Sequence, residues 1–468
     1  MSVSTTLLIF GASGDLTKRS LLPGIGALLE REPDRSVRIL GADRVELSQD
    51  DFATLVRDAL KTSGASTEVV EKQMAETAYF TCDVSNVEEL RAVLSHTDPT
   101  HRVVLYFALP PAVTAAACEA LTHVELPPNT HLAMEKPFGF DLKSARALNG
   151  VVAQLVPEDH VHRIDHFLGM TTVIDVMALR FANRMMQAVW SAHDIQSIEI
   201  CYDENLALEN RASYYDNAGA LVDMIQSHLL QVMAIVAMEP PASVTGTDLR
   251  DAKAAVLRAT RIWDDDVVAN TRRGRYVAGR VGRRDVPSYI DEADVDPNRD
   301  TETLAQIVVE VENQRWKGVP ITLRSGKALG KIRKEVVITF RNVRHLPTGF
   351  DGSCGPDRLI IGLSPDVMEL QITTNGTEDA FVLEQSTFKT DLRKAELSAY
   401  GEVLTALLDG ESMLSVRGDA AEECWRITDQ VLEVWRQGGV PLEEYSAGSP
   451  VPKSWTPALT GPPTALYE

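Results

Sequence analysis

Thr6-Leu7-Leu8-Ile9-Phe10-Gly11-Ala12-Ser13-Gly14-Asp15-Leu16-Thr17-Lys18-Arg19 is the stretch that decides the fold. An unbroken apolar run reads as a strand buried on both faces, and the glycine turn after it opens a helix. Such a turn lets backbone come close to an anionic group, which the unbonded N–H groups and positive dipole end of the helix favour. The spacing is Gly-x-x-Gly rather than Gly-x-Gly-x-x-Gly, and Thr17 stands where a third glycine would allow close packing. By itself the motif fits an ordinary strand-to-helix turn as well as it fits a dinucleotide site.

Outward from this stretch the same alternation repeats. Apolar residues 37–40 precede an amphipathic segment at 50–60, and residues 103–107 precede another at 112–121. Buried parallel strands need helical crossovers, so the pattern predicts an α/β doubly wound, Rossmann-like domain over residues 1–175. Its second strand ends at Gly41-Ala42-Asp43-Arg44. A carboxylate there can hold a ribose 2′-OH and a guanidinium can neutralise a 2′-phosphate, so Asp43 favours NAD and Arg44 favours NADP. Residues 176–468 read as an α+β domain, whose large sheet is antiparallel. A helix is expected at 217–238, with strands at 307–311, 335–340, 358–363 and 367–372 pairing antiparallel. Helices at 395–408 and 420–435 are expected to cover one face of that sheet. The tail after Gly448, with five prolines, reads as an irregular strap.

The 468 residues suggest about two or three domains at roughly 150 residues each. With 44% hydrophobic and 24% charged residues the composition is globular rather than disordered. A net charge of −21 opposes a polyanionic partner, so no nucleic-acid binding is expected. The local basic runs, 272–275 and 280–284, read as solvated strand faces. Five scattered cysteines (Cys82, Cys118, Cys201, Cys354, Cys424), none in a C-x-x-C pair, suggest neither a disulfide framework nor a metal site. The N-terminal residues lack a basic leader and the apolar run 229–238 is short for a bilayer, so the expectation is a cytoplasmic protein with no membrane partner.

Further motifs follow in order: Glu135-Lys136-Pro137-Phe138-Gly139, Arg163-Ile164-Asp165-His166-Phe167-Leu168-Gly169, Tyr214-Tyr215-Asp216-Asn217-Ala218-Gly219-Ala220-Leu221 and Gln226-Ser227-His228-Leu229-Leu230-Gln231. Behind them come Thr301-Glu302-Thr303, Arg315-Trp316-Lys317-Gly318-Val319-Pro320, Leu323-Arg324-Ser325-Gly326-Lys327 and Tyr445-Ser446-Ala447-Gly448-Ser449. Together with the glycine turn, and in this order, they resemble the glucose-6-phosphate dehydrogenase family over nearly the whole chain.

The resemblance implies oxidation of a hexopyranose at C1 to the 1,5-lactone, with hydride passing to NADP or NAD, at the head of the pentose phosphate pathway. It implies His228 as general base, since an imidazole titrating near neutrality suits removal of the hydroxyl proton. Asp165 matches the carboxylate that orients this histidine, and Lys136 the lysine near sugar and nicotinamide, with a cis Lys136–Pro137 bond. Gly11, Ser13, Gly14, Asp15, Leu16, Asp43, Arg44, Pro110, Glu135 and Lys136 match the cofactor side. Lys136, His166, Phe167, Met170, Glu204, Asp223, His228 and Lys327 match the substrate side. Residues 176–468 are implied to be the substrate and dimerisation domain, and a homodimer or homotetramer built through its large sheet is implied as well. Without the motifs, His228 would read as a half-buried packing residue, Asp165 as a capping residue, and Glu204 and Asp223 as solvated carboxylates.

The sequence departs from the family where the 6-phosphate is held. The usual His-Tyr-Leu-Gly-Lys reads here His166-Phe167-Leu168-Gly169-Met170, so one hydroxyl donor and one cation are missing. Val222 replaces an arginine common in the Tyr-Tyr-Asp motif. His166 and Lys327 remain as anion ligands. Either the substrate lacks a 6-phosphate, or another base such as Lys331, Arg333 or Arg184 has taken over. Two rival readings remain beside the enzyme: a catalytically idle nucleotide-binding subunit and a sugar sensor. Both are disfavoured by the presence of Asp165 and His228.

Overall fold

The structure, a computed structural model, describes residues 4–209, 212–352, 355–376, 381–392 and 395–455. Cys354 and the proline-rich tail beyond residue 455 lie outside the described residues. The chain forms two compact units: Met1–Met170 with Glu239–Ala254 and Ala395–Trp425, and Thr171–Met238 with Ala255–Lys394 and Arg426–Glu468.

In the first unit the strands are β1 (Thr5–Phe10), β2 (Val37–Asp43), β3 (Ala78–Thr81), β4 (Arg102–Phe107), β5 (Thr130–Glu135) and β6 (Val161–Ile164). They lie in the order β6-β5-β4-β1-β2-β3 and are parallel throughout. Every residue of β1 is buried, as its unbroken apolar run requires. Chain order reverses between β1 and β4, and the crevice past the carboxyl ends of such strands is where open α/β sheets bind ligands. Gly11 leaves β1 at that point, and Ala108-Leu109-Pro110 leave β4.

Residues 395–425 correct the expectation that this stretch covers the antiparallel sheet. Its helix Ala399–Asp409 packs within the first unit, and the short strand Ser415–Val416 adds antiparallel to β6. The helix is N-capped by Ser398, which accepts from Gly401 N–H, and is stopped by left-handed Gly410. It buries Val403, Leu404, Leu407 and Leu408, each contributing about 1.5–3 kcal/mol. It comes so close to the 166–169 turn that a Cβ on Gly169 would stand 2.2 Å from the Ala399 carbonyl oxygen.

The second unit is built on a large sheet with the order Leu383–Asp391, Val367–Asn375, Arg358–Gly362, Arg333–Phe340, Ile195–Asp203, Ile321–Gly326, Leu304–Val311, Thr271–Val277, Leu442–Ser446. Pairing is antiparallel except between Ile195–Asp203 and Ile321–Gly326 and between Thr271–Val277 and Leu442–Ser446. A helical run lies on this sheet, Leu221–Leu229 wound as a π-helix and Leu230–Ala237 as an α-helix.

Two sequence expectations change in this unit. By length and composition the helix Tyr214–Ala237 could cross a membrane, longer than the apolar run read from sequence, but it is a core element and almost wholly buried. In the 272–275 run, Arg273 points inward instead of into solvent. It donates to the Val440 carbonyl oxygen at 2.9 Å and lies over the Trp435 ring.

Candidate active site

Gly11 takes φ +81°, and a Cβ there would stand 2.3 Å from the Ala108 carbonyl oxygen. Only glycine serves, both for the left-handed backbone and for the close approach of β1 and β4. Thr17, in the place of a third glycine, is buried and donates its hydroxyl to the Gly11 carbonyl oxygen at 3.1 Å. Helical backbone begins at Asp15 and Leu16, so their N–H groups belong to the first turn, which has no intrahelical acceptors. Pro110 caps the helix Pro111–Leu121 across the same crevice.

Asp43 does something that its position in sequence did not reveal. Its Oδ2 accepts from the Ser13 amide at 3.1 Å and from the Ser13 hydroxyl at 2.7 Å, bracing the glycine turn. Arg44 is exposed, and among the described residues it makes no hydrogen bond or ion pair. A pyrophosphate cradle backed by a glycine that tolerates no Cβ, with an uncommitted guanidinium beside it, fits a dinucleotide.

At the end of β5, Glu135 accepts hydrogen bonds from the hydroxyls of Tyr106 and Tyr400. Burial raises its pKa; the two hydroxyls and the charge of Lys136 oppose the rise, and the charge of Asp165 adds to it. Lys136 is half-buried and its bond to Pro137 is cis. Asp165, 2% exposed, caps the turn His166–Gly169 by accepting from the Phe167 amide at 3.0 Å. Phe167 is buried, with His166 set edge-on to it, and Met170 is half-buried.

Sequence reasoning missed Lys253. Its side chain is 1% exposed and its ammonium lies 3.4 Å from the Ser415 carbonyl oxygen. Burial lowers its pKa to about 8 against the opposing charge of Asp165. A signal was present: Lys253 stands four residues after Leu249 and four before Leu257, on the apolar side of its helix. Tyr106 and Tyr400 gave no such signal, because nothing local says what a tyrosine hydroxyl will meet.

The second unit presents its own set. His228, 1% exposed, and Asp223, 3% exposed, both lie in the π-helical segment Leu221–Leu229, whose i→i+5 winding often accompanies functional sites. The segment is entered through Gly219, at φ +66°, where a Cβ would stand 2.4 Å from the Glu302 carboxylate. That carboxyl accepts from the Leu221 amide at 2.9 Å, and burial raises its pKa to about 7. Thr301 and Thr303 flank it, tied to the Asp216 carbonyl oxygen and the Tyr445 hydroxyl. The motif therefore fixes the start of the helix that carries His228.

Glu204 is held by Lys327 at 3.2 Å and by Lys334 at 3.0 Å. Of the replacement cations read from sequence, Arg333 is engaged by Glu199 and Glu335, and Lys331 is exposed. Lys334, which sequence reasoning did not name, shares a face of its strand with Val336 and Ile338, both buried.

A parallel sheet with a glycine turn at its switch point, followed by a large sheet covered by the helix that carries Asp223 and His228, is the architecture of a dinucleotide-binding enzyme. The family model described as "Glucose-6-phosphate dehydrogenase, NAD binding domain" matches residues 8–175, and the one described as "Glucose-6-phosphate dehydrogenase, C-terminal domain" matches residues 177–461. The glucose-6-phosphate 1-dehydrogenase of Gluconobacter oxydans is 38% identical over 97% of this chain and 95% of its own length. That of Dickeya dadantii is 35% identical over 96% of each. Among solved structures, glucose-6-phosphate 1-dehydrogenase from Mycobacterium avium matches with a TM-score of 0.84 at 31% identity, covering 96% of this chain and 95% of that one. A glucose-6-phosphate dehydrogenase in complex with glucose-6-phosphate matches with a TM-score of 0.86 at 29% identity, covering 97% and 96%. The chain belongs to the glucose-6-phosphate dehydrogenase family and is an NAD(P)-dependent oxidoreductase.

Proposed function

We propose that this enzyme oxidises the C1 hydroxyl of glucose 6-phosphate to the 1,5-lactone, with a weaker hold on the 6-phosphate than its family has. The observation that carries the reaction is family membership over nearly the full chain with His228, Asp165 and Lys136 in place. The bound NADP or NAD supplies the hydride acceptor. His228 takes the hydroxyl proton, so that the lone pair left on oxygen forms the carbonyl as hydride leaves C1. Asp165 orients His228 and stabilises its cationic form. Glu204 and Asp223 accept from ring hydroxyls, and Lys136 fixes the sugar beside the nicotinamide. Release of the proton to water returns His228 to its starting state.

The weaker phosphate hold rests on Phe167 and Met170, an apolar pair that offers an anion no donor and no charge. Uncommitted Arg44 supports NADP as the preferred cofactor. Four buried free thiols, Cys82, Cys118, Cys201 and Cys424, support a cytoplasmic setting. Self-association as a homodimer or homotetramer through the large sheet is part of the same proposal and rests on the family resemblance. Absorbance at 340 nm with glucose 6-phosphate, glucose and other hexoses, each with NADP and with NAD, tests the reading. Reduction of cofactor by glucose 6-phosphate is expected; silence with every sugar would leave the idle-subunit reading.

A further inference from the structure

The cluster around Glu204 carries an unbalanced charge. Lys334 Nζ meets Glu204 Oε1 and Lys327 Nζ meets Glu204 Oε2, and the three side chains are only 18, 12 and 15% exposed. Among the neighbouring acids, Asp203 pairs with Arg324 at 2.6 Å, and Glu199 and Glu335 share Arg333 at 3.3 and 2.7 Å. That trio carries one negative charge too many, but Arg333 and Glu335 alternate with Lys334 along the strand and so lie on its other face, leaving the positive surplus local to Glu204. Among the described residues no second carboxylate lies within ion-pair distance of Lys327 or Lys334. Two ammonium groups on one carboxylate leave a net positive charge in a largely dehydrated place, where an unmatched charge is costly.

Aromatic faces accompany both cations. Lys334 Nζ stands 4.4 Å from the centroid of the Tyr202 ring and Lys327 Nζ 5.1 Å from that of Tyr215. Such faces hold an ammonium in place without cancelling its formal charge. The surplus is therefore fixed in position.

We propose that Lys334, acting with Lys327, is the cation that grips the anionic group of the sugar phosphate, supplying part of the charge that Met170 does not. This rests on the functional reading above and names a specificity residue for the same site. Because each ammonium has three donors, a lysine can keep Glu204 and still donate to a phosphoryl oxygen. The alternative is that Lys334 only orients Glu204 toward a ring hydroxyl, in which case phosphorylated and unphosphorylated sugars depend on it equally.

Equilibrium binding separates the two without requiring turnover. Dissociation constants for glucose 6-phosphate and for glucose are measured by titration calorimetry on the full chain, unmodified and as Lys334→Met and Lys334→Arg. Melting curves check that each variant is folded, and Lys334→Gln is the substitute if the methionine variant is not. The expected result is a loss of glucose 6-phosphate affinity of about 10-fold or more in Lys334→Met. Glucose affinity should fall much less, and Lys334→Arg should restore most of the phosphate discrimination. Parallel losses for both sugars, or an unchanged preference for the phosphorylated one, overturn the proposal. Turnover of glucose 6-phosphate by the unmodified protein is scored separately, so a failed functional reading is not mistaken for a failed assignment of Lys334.

Discussion

Asp43 and Glu204 are both carboxylates at the ends of strands, and their surroundings treat them in opposite ways. Asp43 is satisfied by neutral donors, the amide and hydroxyl of Ser13, so its neighbour Arg44 keeps its charge for a ligand. Glu204 is held by two ammonium groups and consumes only one of the two charges. By different routes each arrangement leaves one positive charge uncommitted, and in a protein of net charge −21 such places are where an anionic ligand gains most. A carboxylate in a binding site is thus informative less for its own charge than for which partners it removes from use.

The harshest way to break the comparison is to remove the chemistry that both ends serve. His228→Asn should lower kcat by at least about 10²-fold, since general-base catalysis contributes that much or more. Cofactor affinity should stay within a few-fold by equilibrium titration. Near-normal turnover would discard His228 as the base.

Next in size is a gain of function on the sugar side. Met170→Lys should raise kcat/KM for glucose 6-phosphate by about 10- to 100-fold if the new ammonium reaches the phosphoryl group. Phe167→Tyr is the partner change, but Phe167 is buried, and a hydroxyl placed there needs an acceptor to offset its lost hydration. The double variant is therefore expected to exceed Met170→Lys by less than a full charged contact. An unmodified enzyme that already has a micromolar KM for glucose 6-phosphate and ignores glucose would remove the weak-phosphate reading.

On the nucleotide side, Arg44→Ala should weaken NADP by about 10-fold, because a charge-assisted contact to the 2′-phosphate is lost, and leave NAD nearly unchanged. Equal losses would mean that Arg44 does not read that phosphate. Asp43→Ala should harm both cofactors, since its carboxylate braces the turn that cradles the shared pyrophosphate. This sharpens the simpler expectation that Asp43 serves NAD alone.

The smallest effect concerns stability. The pKa of Glu302 is raised to about 7 by burial, above its value in the unfolded chain. Its contribution is therefore full below about pH 4.5 and lost as pH rises through 7, amounting to about 3 kcal/mol at most. Melting temperatures of Glu302→Gln between pH 5 and pH 8 should vary less than those of the unmodified protein. An identical pH profile in both would show that Glu302 does not titrate in that window.

The chemistry of the site was legible where the residue type and its local neighbours decide it. Gly11 announces a turn that no other residue can make, β1 announces its burial by an unbroken apolar run, and the ordered motifs announce the family. Lys253 and Lys334 were half legible: each sits at the apolar period of its helix or strand, which marks it as inward-facing without saying what it meets. Arg273 shows the cost of reading composition without period, since a basic run looked solvated while one of its members packs against Trp435.

Order along the chain determined the parallel sheet, the glycine turn and the family, because these follow from local backbone demands and from the motifs in their sequence. Tertiary structure alone decided that residues 395–425 return to the first unit, that Tyr106 and Tyr400 converge on Glu135, and that Lys327, just past one strand, and Lys334, within another, share Glu204. Tyr400 lies 265 residues from Glu135, and Lys334 lies 130 from Glu204. Contacts at such separations depend on how burial of whole apolar faces closes the chain, and no local pattern of residues encodes that.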